Sequence, residues 1–141
     1  MKKYLLLILG IVLVCTGCFK RDTMEDITIY TSVYPIEYIT NRLYGNNATI
    51  NSIYPNGIIV DKYTLTEKQL EDYGKADLFI FNGLSEEKNY IKPMFEANKN
   101  LKIIDATSSI EYNNKMEEIW LDPSNFLMIA QNIKIGFEEY I

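Results

Sequence analysis

"ADLFIFNG", residues 76–83, is a nearly continuous apolar run that closes on an Asn-Gly pair. A strand with one solvated face alternates apolar and polar residues, whereas a run without alternation is the pattern of a strand covered on both faces. Such a strand belongs to a layered fold with helices above and below a sheet. Three further strands read outward from it. "ITIYTSVYP" (27–35) is rich in β-branched and aromatic residues and stops at a proline, "ATINSIYP" (48–55) follows the same form, and "LKIIDAT" (101–107) lies downstream.

Helical patterns fill the gaps. Ile36, Ile39 and Leu43 recur at i, i+3 and i+7, with Pro35 in the first turn and Gly45 as the stop. Thr66 and Gln69 have the spacing of a capping box, and Gly74 is expected to close that helix in the left-handed conformation. Residues 85–98 put Tyr90, Ile91, Met94 and Phe95 on an apolar side, and Pro93 predicts a kink or a start near Lys92. The resulting order βαβαβαβ predicts an α/β fold, a four-stranded parallel sheet with helices on both faces joined by right-handed crossovers. A polar loop and a short extended "IWL" then lead to a last helix. Asp122 fits its N-cap, Pro123 its first position, and Phe126, Ile129, Ile133, Phe137 and Tyr140 one apolar face. Exposure of Phe126, Ile133 and Phe137 would mark a truncated chain.

The amino terminus reads as an export signal. Lys2 and Lys3 precede an apolar run, residues 4–14, interrupted only by Gly10. That run is shorter than the roughly 20 residues a spanning helix needs and has the size of a signal-peptide core. Cys15-Thr16-Gly17-Cys18 resembles the lipobox of bacterial lipoproteins, which are cleaved before the second of these cysteines and lipidated on its thiol. Cys15 stands where leucine is more usual. The expectation is a signal peptide at 1–17, a lipid-bearing Cys18 with a flexible tether to residue 26, a lobe at 27–122, and the start of a connecting helix at 123–141. With Cys18 carrying lipid, no disulfide framework is available and the core must hold by packing.

Composition excludes several function classes. Fourteen basic residues against 19 acidic ones give a net charge of −5, which argues against nucleic acid and against a polybasic membrane contact. There is no histidine. That removes the commonest general base and the commonest zinc or copper ligand, and it excludes Ser-His-Asp and Cys-His nucleophile arrangements. No Gly-rich phosphate loop is present, and no carboxylate pair can be placed together for acid/base work. A binding protein, not an enzyme, is the expectation. In open parallel sheets ligands bind at the carboxyl ends of the strands, here the loops 31–35, 54–66, 82–85 and 106–122.

Four segments in order, "YPNGIIVDKYTLT", "KADLFIFNGL", "IIDAT" and "IWLDPSN", together resemble the amino-terminal lobe of the metal-binding lipoproteins that feed zinc and manganese ABC importers. The resemblance covers residues 27–141. It implies a divalent metal ion, manganese or zinc, as transported ligand, an ABC permease as partner, and a monomer lipid-anchored on the extracytoplasmic face of a bacterial membrane. The family places one metal-binding histidine five residues before a threonine and another two residues before the Trp of "WLDP". Those positions carry Asp61 and Glu118 here, so both histidines are replaced by carboxylates. Oxygen ligands favour manganese, magnesium or calcium over zinc and copper. Two carboxylates alone bind weakly, and in the family the other ligands come from a second lobe. Trp120 is read as packing and Asp122 as a cap, and Tyr34, Tyr54 and Tyr63 as packing or as cleft lining. The alternatives are that Asp61 and Glu118 are solvated loop acids, that the ligand is a haem or iron chelate, or that the chain is an adhesin-like interaction lipoprotein or remnant keeping the fold without transport.

Overall fold

The structure, a computed structural model, describes residues 25–111 and 118–140. The export signal, Cys18, the tether to residue 24 and loop residues 112–117 lie outside the described residues. Strands β1 (Ile27–Thr31), β2 (Ala48–Ser52), β3 (Leu78–Phe81) and β4 (Lys102–Asp105) form one parallel sheet in the order β2-β1-β3-β4. All four residues of β3 are buried, as its unbroken apolar run requires. β2 ends at Ser52, short of the expected residue 55. Ile53 still donates to the Thr31 carbonyl at 2.9 Å, but the Tyr54 amide turns to the Ser52 hydroxyl at 3.1 Å and Pro55 has no amide to offer.

Four helices, α1 (Tyr34–Tyr44), α2 (Glu67–Gly74), α3 (Ile91–Ala97) and α4 (Pro123–Tyr140), make the outer layers. α1 packs on β1, β2 and α4, and Tyr44 stacks on Phe137 with ring centroids 4.9 Å apart. α2 and α3 pack against each other, and Tyr73 of α2 meets Tyr30 of β1 at 4.6 Å. Between the layers Ile29, Phe79, Ile80, Ile129 and Ile133 are fully buried. Two side chains of α4 tie it to the outer strand: the Tyr140 hydroxyl donates to the Ile103 carbonyl, and the Asn132 amide to the carbonyls of Ala106 and Ser108. Among the described residues no helix is long and apolar enough to cross a membrane.

The caps form as their spacing predicts. Thr66 and Gln69 make a reciprocal capping box, and Asp122 Oδ1 accepts from the amides of Ser124 and Asn125 at 2.7 and 3.2 Å. One helix end differs from expectation. Gly74 lies within α2 and is buried, and the chain leaves through a right-handed Lys75. A Cβ on Gly74 would sit 2.7 Å from the Met94 carbonyl oxygen, so this glycine serves the close approach of α2 to α3 rather than a left-handed stop. Gly45 caps the end of α1 as expected, in a right-handed conformation at φ −60°.

Residues 85–98 divide into a 3-10 turn, Glu86–Tyr90, and α3, with Pro93 in the first turn where no amide partner is needed. "IWL" is a 3-10 turn, not an extended piece, because the Leu121 amide bonds back to the Glu118 carbonyl at 3.1 Å. Leu43 and Phe95 are substantially exposed, and Thr40 takes the buried place on α1 by donating its hydroxyl to the Ile36 carbonyl. On α4 the residues Ile133 and Phe137 are buried against α1 and the sheet, and Phe126 is half-buried, so their exposure, named above as a mark of truncation, is not seen. The exposed apolar residues of α4 are Leu127 and Ile135.

Candidate cation cleft at the strand ends

β1 has β2 on one side and β3 on the other, so the chain leaves β1 and β3 in opposite directions and a crevice opens between their carboxyl ends. The Ser32 amide, donating to the Ile80 carbonyl at 3.1 Å, holds the two ends together beneath it. The crevice is a cleft of about 500 Å³ whose walls include Tyr34, Ile59, Asp61, Asn82, Glu118 and Trp120. A neighbouring hollow of about 380 Å³, lined by Tyr54, Tyr63 and Tyr90, shares Asp61, Ser85 and Glu87 with it.

Asp61 is carried on a 3-10 turn, Val60–Lys62, in the loop after β2. That loop reverses at Gly57, whose φ of 81° is one that residues with a Cβ rarely adopt. Glu118 comes from the other side of the cleft, just before the turn anchored by buried Ile119 and by the Asn125 amide donating to the Ile119 carbonyl. Tertiary folding thus brings Asp61 and Glu118 onto one cleft. Both are exposed, and among the described residues no three His, Cys, Asp or Glu side chains are grouped closely enough to hold a metal. Trp120 is half-buried and does two jobs, packing on the core and walling the cleft. Tyr34 lines the cleft and is 72% exposed. Tyr54 is buried and meets Tyr63 edge to face at 6.1 Å, and the Gln69 amide donates to the Tyr63 hydroxyl.

One cleft residue escapes sequence reasoning. Glu87 is 2% exposed at the cleft floor, and its Oε2 accepts from the Asn82 amide at 3.1 Å. Ser32 and Tyr54 also hydrogen-bond its carboxylate through their side chains. Nothing local separates Glu87 from the exposed Glu86 beside it; the only hint is Ser85, whose hydroxyl accepts from the Glu87 amide as a helix cap would. Burial raises the Glu87 carboxyl above its ordinary range, against the opposing pull of these hydrogen bonds. Burial, with the Glu87 charge beside it, likewise pushes the Tyr54 hydroxyl far up.

A raised carboxyl pKa in the folded state means that the native protein holds this proton to higher pH than the unfolded chain. The associated stability is complete below the ordinary value of 4.5 and is lost as pH rises through the folded value, at up to about 1.4 kcal/mol per pH unit within that window. Urea unfolding between pH 4 and 7 is expected to show this decline in the parent and a flatter profile in Glu87→Gln.

The parallel sheet with a cleft at its switch point defines one lobe of a solute-binding fold. The family model of the zinc-uptake complex component A, a periplasmic protein, matches residues 29–140, and the chain belongs to that family. It is 25% identical over 128 residues to the iron-binding protein YfeA of Yersinia pestis, covering 84% of this chain and 41% of that protein. It is 26% identical over 152 residues to SloC, a metal ABC transporter substrate-binding lipoprotein of Streptococcus mutans, covering 94% of this chain and 49% of SloC. Among solved structures, the Zn(II)-bound ZnuA-like domain of AdcA from Streptococcus pneumoniae superposes with a TM-score of 0.68 at 22% identity, over 82% of this chain and 49% of that one. The chain therefore spans less than half the length of these relatives.

Proposed function

We propose that this lobe serves a metal-ion ABC importer, receiving a divalent cation at its cleft as the solute-binding component that hands it to a membrane permease. The observation that carries the reading is the convergence of Asp61 and Glu118, the two positions matched to metal ligands, on one cleft at the strand ends. Their carboxylates suit an oxygen-preferring ion such as manganese better than zinc. A lipid on Cys18 would hold the protein, as a monomer, at the extracytoplasmic face of a bacterial membrane. The reading is of a binding protein and not of an enzyme.

With two ligands in this lobe, affinity for a free ion is weak, and further ligands would have to come from a second lobe. The test is thermal unfolding of the lipid-free chain with and without Mn²⁺ or Zn²⁺. At a tenfold excess over Kd a ligand that binds only the native state stabilises by about 1.4 kcal/mol. In a domain of this size that raises Tm by several degrees. The rise is expected with Mn²⁺ in the parent and is expected to shrink in Asp61→Ala and in Glu118→Ala. Identical melting of the parent with and without either metal would overturn the reading. It would then favour the rival, an anchored adhesin-like interaction lipoprotein or remnant, which is supported by the exposure of both acids and by the lack, among the described residues, of any group of three His, Cys, Asp or Glu side chains that could hold a metal.

A further inference from the structure

A buried carboxylate is costly, and a leucine at position 87 would satisfy the core better unless the charge or its hydrogen bonds have a task. The partners of Glu87 come from three different strand ends. Ser32 follows β1, Tyr54 follows β2, and Asn82 follows β3. A serine relay joins the same ends: Ser52 donates to the Ser32 carbonyl at 3.1 Å and accepts from the Tyr54 amide at 3.1 Å, while the Ser32 hydroxyl accepts from the Asn82 amide at 3.2 Å. Tyr54 opens the loop that carries Asp61, and Asn82 and Ser32 stand at the cleft floor beside Val33, Tyr34 and Pro35.

We infer that Glu87 is a positioning residue of the cleft: by gathering Ser32, Tyr54 and Asn82 onto one carboxylate, it locks three strand-end segments together and presents the Asp61 loop preformed. Its oxygens are already occupied by these donors, so its part is to hold the segments and not to ligate the ion. A preformed loop matters most where ligands are few, because each segment left to be ordered on binding subtracts from an already small affinity. The functional meaning rests on the cleft being the binding site proposed above, whereas the locking itself does not depend on any metal.

The experiment compares the parent with Glu87→Gln, which keeps the shape and an acceptor oxygen but removes the charge. Amide hydrogen exchange is measured on metal-free protein, and Mn²⁺ affinity on the same samples. Exchange in residues 54–66 and 82–85 is expected to quicken about tenfold, with β1 and β3 unchanged, and Mn²⁺ affinity to fall severalfold. Rescue in Glu87→Asp is expected to be partial, since the shorter carboxylate keeps the charge but reaches fewer donors. Unchanged exchange in residues 54–66, or a uniform quickening through the whole sheet, would overturn the inference, the second because it would mark a purely global stability role. If exchange quickens locally but the parent shows no response to Mn²⁺ or Zn²⁺, the locking stands and the metal-import reading falls.

Discussion

Phe79→Ala is expected to lower the free energy of unfolding by about 3–5 kcal/mol, a large part of the roughly 5–15 kcal/mol that holds a small domain together. Phe79 is wholly buried in the middle of β3, the strand covered on both faces, and its ring lies against Phe81 with centroids 5.7 Å apart. Removing it takes away both its transfer free energy and its packing contacts, and β3 is paired on either side, with β1 and with β4, so the sheet cannot close over the void. Urea denaturation followed by far-ultraviolet circular dichroism measures the effect, read as a lower midpoint at unchanged slope. A loss under about 1 kcal/mol would show that the void collapses and that β3 is not the rigid centre of the sheet.

Gly74→Val is expected to cost about 1–3 kcal/mol or more, even though it replaces the poorest helix former save proline inside a helix. The ordinary gain from removing a helical glycine is about 1 kcal/mol at most. Against it stands the backbone of Met94: a Cβ at position 74 would lie 2.7 Å from its carbonyl oxygen and 3.0 Å from its Cα. A flexible side chain could swing aside, but a helix backbone can yield only by moving α3 away from α2, which also uncovers Met94, now fully buried. Thermal unfolding of Gly74→Ala and Gly74→Val is expected to rank parent, alanine, valine in falling stability. An alanine variant more stable than the parent would show that the two helices separate easily.

These two positions divide what local pattern reveals from what it hides. The unbroken apolar run at 78–81 announces a doubly covered strand because burial on both faces leaves no place for polar alternation, and the observed strand is fully buried as that argument requires. Gly74 is equally visible in the sequence, but a glycine near a helix end is compatible with a left-handed stop and with a close contact alike. Only the neighbour across the gap decides between them. The "IWL" turn is a similar case, its apolar residues suiting either an extended piece or a 3-10 turn until the Leu121 amide finds the Glu118 carbonyl.

The candidate site divides along the same line. The resemblance points to Asp61 and Glu118 residue by residue, and the structure lays both on one cleft. Glu87 does not stand out in the sequence, although it is the most deeply buried acid of the described residues, because its neighbours Glu86 and Lys88 give it the look of a solvated charge run.

By itself the sequence determined the strands, the capping box at Thr66, the Asp122 cap and the α/β layering, all of which arise from interactions within a few residues or from the periodic burial of one element. The tertiary structure alone decided that Asp61 and Glu118 line one cleft, that Gly74 makes room for Met94, and that Glu87 is buried among donors from three strand ends. Those outcomes depend on which segments lie side by side after folding. The cost of a buried charge or of a clashing methyl group is set by neighbours in space, and spacing along the chain carries no record of them.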